Sequence, residues 1–212
     1  MQKLKKVIVT LTALLFASYS AYNIFIAVRD GKRGLSPQAI LISVVVALLY
    51  AVFTGFMITV GNNTKDIRFL IGRRVAFIIA LLAVFALKLR MVGQVLAYLD
   101  FNKLYTILYG CAYLTTQIGL LLLLAYYIFI LKRLPLYPRA SVALPLIAAI
   151  LFLCSLVIEA VLFFAYGIGL EANALRTIVM RPVFYFGLIG LSLYFLFPTP
   201  TTNPSPAPRS LS

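Results

Sequence analysis

Residues 140–166 read ASVALPLIAAILFLCSLVIEAVLFFAY. The run is continuously apolar, without the strict alternation of a half-buried strand. It exceeds the ~20 residues of helix needed to cross ~30 Å of hydrocarbon. In lipid a helix satisfies all of its own backbone hydrogen-bonding groups, so a lone apolar run must be helical. The stretch therefore predicts a membrane-spanning helix. Inside it stands a carboxylate, Glu159, in a chain that has five acids.

Working outward, five more apolar segments occur, at about 7–28, 38–60, 73–90, 104–131 and 177–197. The breaks between them carry glycine, proline and asparagine: GKRGLSP at 31–37, GNN at 61–63 and LPLYP at 134–138. The expected fold class is all-α. Residues 1–197 form a polytopic integral membrane bundle of six transmembrane helices, and a Pro/Ser/Thr-rich tail, 198–212, is disordered. Lys3, Lys5 and Lys6 before the first segment, with Ser18 and Ser20 later, resemble a secretory signal. Apolarity continues to Val28, too far for such a signal, so an uncleaved helix is expected.

The third segment is the difficult one. Only thirteen uncharged residues, Val75 to Leu87, separate Arg74 from Lys88, which is ~20 Å of helix. Counted from Arg73 to Arg90 it reaches ~27 Å, with long cationic side chains snorkelling to opposite interfaces. Alternatively the helix slides later, to about residue 97, and leaves Lys88 and Arg90 well inside the bilayer.

Composition agrees with lipid as the solvent. The chain is 63% hydrophobic, with mean hydropathy +1.04, against roughly 45–50% apolar for soluble domains. The net charge of +14 sits mostly beside apolar segments, as expected for anchors to anionic headgroups; no nucleic-acid partner is expected. The absence of histidine removes the commonest general base and metal ligand. Cys111 and Cys154 fall inside apolar segments and read as buried packing residues. No metal cluster, phosphate loop or paired carboxylate is present in the sequence, so no metal or cofactor is expected and enzyme activity is not favoured.

With six helices both termini share one side, the terminus side. The first, third and fifth connections share the other, the loop side. Eleven cations fall on the terminus side: Lys3, Lys5, Lys6, Lys65, Arg68, Arg73, Arg74, Lys132, Arg133, Arg139 and Arg209. Eight fall on the loop side: Arg29, Lys32, Arg33, Lys88, Arg90, Lys103, Arg176 and Arg181. The excess places both termini in the cytoplasm of a bacterial-type plasma membrane.

A carboxylate within a spanning helix costs roughly 2.5–3.5 kcal/mol on insertion scales, so it should face protein or water and have a partner. Glu159 lies ~10 Å inside its helix end, counted from Tyr166, and Arg181 lies ~8 Å inside the next helix, counted from Arg176. A short connection makes those helices antiparallel neighbours, so Glu159 and Arg181 share a depth and can pair. Pro182 frees a carbonyl one turn earlier and favours a kink there. Tyr105, Tyr109, Tyr113 and Gln117 recur every four residues along one stripe of the fourth helix. Tyr22 and Asn23 on the first helix, and Lys88 and Arg90 on the third, approach the same level. This set is either an interfacial belt with a Glu159–Arg181 clip, or a cavity for an anionic or aromatic solute. Tyrosine offers a flat apolar face with a hydroxyl, suited to small organic ligands.

Ala13, Ala17 and Ala21 place small residues at intervals of four on the first helix, which permits close approach of another helix. With the basic N-terminus and six helices, this seam resembles the substrate-binding S-components of energy-coupling-factor transporters. The resemblance covers the alanine seam and the general topology; the family's characteristic loop residues are absent, and the first loop, RDGKRGLSP, is short and basic. It implies docking of the seam on a membrane-protein partner and solute binding toward the outside. The leading expectation is a solute-binding or transport subunit working with partner chains. The alternative is a non-transport component: a sensor, assembly factor or structural subunit.

Overall fold

The computed structural model describes residues 2–32, 34, 36–61, 67–97, 103–130, 138–167 and 176–196. The tail expected over 198–212 lies outside them. The described residues form six long helices and no strand: α1 (Gln2–Lys32), α2 (Pro37–Gly61), α3 (Ile67–Ala97), α4 (Leu104–Ala125), α5 (Pro138–Tyr166) and α6 (Arg181–Leu196). α4 continues into a π-helical turn, Tyr126–Ile130, and another π-helical turn, Arg176–Met180, leads into α6.

Local chemistry sets several ends. Pro37 and Pro138 open α2 and α5, where the missing N–H costs no helical hydrogen bond. Gly167, at φ 66°, closes α5 by donating its N–H to Phe163 O at 3.1 Å, a left-handed turn that glycine adopts without strain. Pro182 cannot donate to the carbonyl four residues back, and the widened π turn lies directly before Arg181–Pro182.

The helices alternate in direction and close a ring. Each packs against the next, and α6 packs back on α1. Close contacts at the α1–α6 and α4–α5 seams use glycine. A Cβ on Gly187 would lie 2.7 Å from Phe16 Cε1, one on Gly190 would overlap Thr12 Oγ1, and one on Gly119 would lie 2.7 Å from Phe152 Cε1.

The bundle is apolar outside as well as inside, unlike a soluble one. Phe16, Phe53, Phe77, Phe152, Phe184 and Tyr185 fill the interior, while Leu11, Leu48, Ile79, Leu121, Val157 and Phe164 face outward. Five helices are long and apolar enough to cross a membrane: α1, α2, α4, α5 and α6. These are the features of a multi-pass integral membrane protein. α3 stands in the ring between α2 and α4, with Phe77, Ala80, Leu81 and Val84 buried. Arg73, Arg74 and Lys88 flank its uncharged centre, Val75 to Leu87, and among the described residues it is not one of these five.

Two expectations change. α3 runs past both ends of the 73–90 segment, because a charge does not stop a helix and no proline follows until Pro135. Cys111 and Cys154 are exposed on the outer surface rather than buried; a thiol is apolar enough for that surface. The alanine seam turns across the helix face: Ala13 is buried, Ala17 half-buried and Ala21 exposed. α1 approaches α6 through Thr12 and Phe16 against glycines, and α2 through a hydrogen bond from Ser20 Oγ to Ala47 O at 2.8 Å.

Candidate functional site

Residues four apart share a helix face. On α5 this pairs Ser155 with Glu159, and on α6 Arg181 with Tyr185. The two faces meet. Arg181 Nη1 lies 3.4 Å from Glu159 Oε2, and the Tyr185 hydroxyl donates to Glu159 Oε1 at 2.8 Å. The depth-matched pair is therefore present, with a second donor on the carboxylate.

A polar ladder continues from there into the bundle. Tyr185 Oη lies 3.2 Å from Thr116 Oγ1 on α4. Thr116 Oγ1 lies 3.1 Å from Ser155 Oγ, which lies 2.6 Å from Thr115 Oγ1. Each of these three hydroxyls also has a carbonyl of its own helix within reach: Ala112 for Thr116, Leu151 for Ser155 and Cys111 for Thr115. A buried hydroxyl left without a partner in apolar surroundings is costly; here each is satisfied while joining α4, α5 and α6.

Aromatic rings and a second cation flank the pair. Lys88 Nζ of α3 stands 4.6 Å from the Phe184 ring centroid and 5.7 Å from that of Tyr113. Both distances fall within the range of a cation–π contact. The hydroxyls of Tyr113 and Tyr109 are 3.2 Å apart, and Arg181 interacts electrostatically with Tyr109, Tyr113 and Tyr185. Phe184 also meets Tyr19, which meets Tyr50, at 5.7 and 4.6 Å between centroids. Lys88 thus points between α4 and α6 rather than out to the interface.

The structure gathers Glu159, Arg181, Tyr109, Tyr113 and Lys88. Gln117 lies one turn along from Tyr113, with Nε2 donating to Phe85 O at 3.4 Å and a buried Oε1 that has no partner among the described residues. Tyr105 is not part of the group; it is exposed and meets Tyr166 at 6.0 Å, at the helix end. Tyr22 and Asn23 are buried on α1, but Asn23 Nδ2 donates to Tyr19 O of its own helix. Neither touches the ion pair by a hydrogen bond or ring contact among the described residues. The Arg90 side chain lies outside the described residues. Sequence reasoning missed Tyr185, Ser155, Thr115 and Thr116. Tyr185 and Ser155 were detectable as the residues one helical turn from Arg181 and Glu159.

A cleft between α5 and α6 reaches the pair from outside. Its volume is about 70 Å³, and its walls are Leu156, Ala160, Phe163, Phe164, Ile178 and Pro182. Glu159 and Arg181 line it too. Phe164 and Ile178 are exposed on the lipid-facing surface, so the cleft opens laterally. The Arg181 side chain retains 32% exposure and that of Glu159 10%. The guanidinium is therefore the more accessible of the two.

Comparisons with protein-family models, with curated proteins and with solved structures find no match to this chain. The S-component resemblance gains nothing from them, and the site's chemistry must be argued from its own residues.

Proposed function

We propose that this is a six-span membrane protein with both termini in the cytoplasm. Its loop-side cluster binds a small anionic or aromatic solute, as a binding or transport subunit acting with partner chains. The observation that carries this reading is the accessible Arg181 in the α5–α6 cleft, with Lys88, Tyr109 and Tyr113 beside it. Arginine presents planar donors suited to a carboxylate or phosphate, and the tyrosines add flat surface and hydroxyls.

The cleft, at about 70 Å³, is well below the roughly 300–1,000 Å³ of sites that enclose a drug-sized molecule. Binding then requires α5 and α6 to part. The break in regular helix at Arg176–Met180 and Pro182 is where that motion would be absorbed.

The test is ligand-induced stabilisation in detergent across a panel of organic anions and aromatic acids. A solute should raise the melting temperature of the wild type and leave the Glu159→Gln/Arg181→Gln variant unmoved. If the panel stabilises both proteins alike, the cluster is not the site.

The polar ladder favours a second reading, a non-transport component in which α4, α5 and α6 form a fixed wall. Native mass spectrometry after mild extraction separates the two. A retained small molecule supports binding, and a stoichiometric protein partner without one supports assembly or sensing.

A further inference from the structure

We infer that the terminus end of the bundle, framed by Arg73 and Arg74 of α3, Tyr127 after α4, Tyr194 of α6 and Lys5 of α1, binds the phosphate of an anionic phospholipid headgroup. This end lies opposite the Glu159 cluster and does not depend on the solute-binding reading.

The groups gathered there are donors. Arg73 Nη1 donates to Thr59 O at 2.9 Å at the end of α2, and its guanidinium carbon stands 5.7 Å from the Phe56 ring. Among the described residues its Nε is buried without a hydrogen-bond partner, an unmet donor on a charged group. Arg74 is exposed. Both arginines interact electrostatically with Tyr127, and Arg73 also with Tyr194. Lys5 Nζ lies 5.1 Å from the Tyr194 ring. Among the described residues, neither Tyr127 nor Tyr194 spends its hydroxyl on a hydrogen bond, whereas Tyr126 donates to Phe195 O at 3.2 Å.

Charge distribution points the same way. By the alternation of six helices, the terminus side carries eleven cations and a single acid, Asp66, while the loop side carries eight cations and four acids. That leaves +10 of the net +14 on the terminus side. A phosphate diester matches guanidinium, ammonium and phenol donors together.

The position selects lipid over a soluble phosphate. Leu4, Val7 and Val75, next in the chain to Lys5, Lys6 and Arg74, are exposed apolar residues. Acyl chains can lie along these surfaces while the phosphate sits among the donors.

Native mass spectrometry of the detergent-purified chain, titrated with dioleoyl phosphatidylglycerol or dioleoyl phosphatidylcholine, tests the site. The wild type should hold the anionic lipid more tightly than the zwitterionic one. Arg73→Gln/Arg74→Gln should weaken anionic-lipid binding at least about tenfold more than Lys3→Gln/Lys6→Gln, since it removes charge-assisted hydrogen bonds as well as charge. Equal loss in the two double variants would mean diffuse attraction and overturn the site. Displacement of the lipid by inorganic phosphate at equal concentration would overturn the lipid assignment in favour of a soluble phosphate. If the arginine variant does not fold, Tyr127→Phe/Tyr194→Phe keeps the rings and decides the matter. A several-fold loss supports the site, and unchanged binding refutes it.

Discussion

Tyr185 holds Glu159 more closely than Arg181 does: the phenol donates across 2.8 Å, while the guanidinium nitrogen stands 3.4 Å from the other carboxylate oxygen. Charge-assisted N–H to carboxylate bonds usually span ~2.7–2.9 Å, so the ionic partner is loosely engaged. Tyr185 is buried and Arg181 is partly exposed. The carboxylate is therefore fixed from within the bundle, and the arginine is the less tightly held of the pair.

Replacing Tyr185 by phenylalanine removes the shorter bond and little volume. It should destabilise the protein by about 1.5–3 kcal/mol, the range for a hydrogen bond to a charged group. Thermal melting in detergent reads the effect. An unchanged melting temperature would mean that Arg181 alone suffices to hold Glu159.

Glu159→Gln and Arg181→Gln should not add. Each single change strands a charge in a largely apolar bundle, a loss of roughly 3–5 kcal/mol for a buried pair, reduced here because Arg181 is 32% exposed. The double variant should be more stable than the sum of the two losses implies. Additivity within ~0.5 kcal/mol would show that the two groups do not interact energetically.

How far the sequence carried the reading follows from the same residues. Depth along a helix is legible, because rise per residue is constant; that placed Glu159 level with Arg181. Azimuth is less legible when every face is apolar. Tyr185 was overlooked for that reason, although it sits one turn from Arg181. Lys88 shows the other limit. Charge and length left two alternatives, snorkelling to an interface or a helix reaching about residue 97 with Lys88 inside; α3 reaches Ala97 and the ammonium stands over Phe184 and Tyr113, a choice that requires knowing which helices flank α3. The closure of α6 onto α1 was equally hidden, since it depends on Gly187 and Gly190 admitting Phe16 and Thr12.

Gly187→Ala tests that closure. The added Cβ meets Phe16 Cε1 at 2.7 Å, and Phe16 is fully buried among Tyr50 and Phe53. Overpacking there should cost about 1–3 kcal/mol. Gly55→Ala on α2 is the control. Nothing lies within 4 Å of its Cβ, so helix propensity should leave stability unchanged or raise it by up to ~1 kcal/mol. If both variants melt alike, the α1–α6 seam is not tightly packed.

The sixth span rests on α3. Helix Ile67–Ala97 is ~46 Å long at ~1.5 Å per residue, enough to cross hydrocarbon of ~30 Å. Its uncharged centre, Val75 to Leu87, covers only ~20 Å of that thickness. Lys88 is accommodated by rings inside the bundle, and Arg73 by Thr59 O and Phe56 at the opposite end. On the six-span proposal, those contacts offset the cost of placing its charges in the bilayer. With Cys111 and Cys154 replaced by serine, single cysteines at Asn63 and Asn102 should react with a membrane-impermeant maleimide from opposite sides of sealed vesicles. Labelling of both from the same side would remove α3 from the set of spanning helices, and with it the shared cytoplasmic placement of the termini.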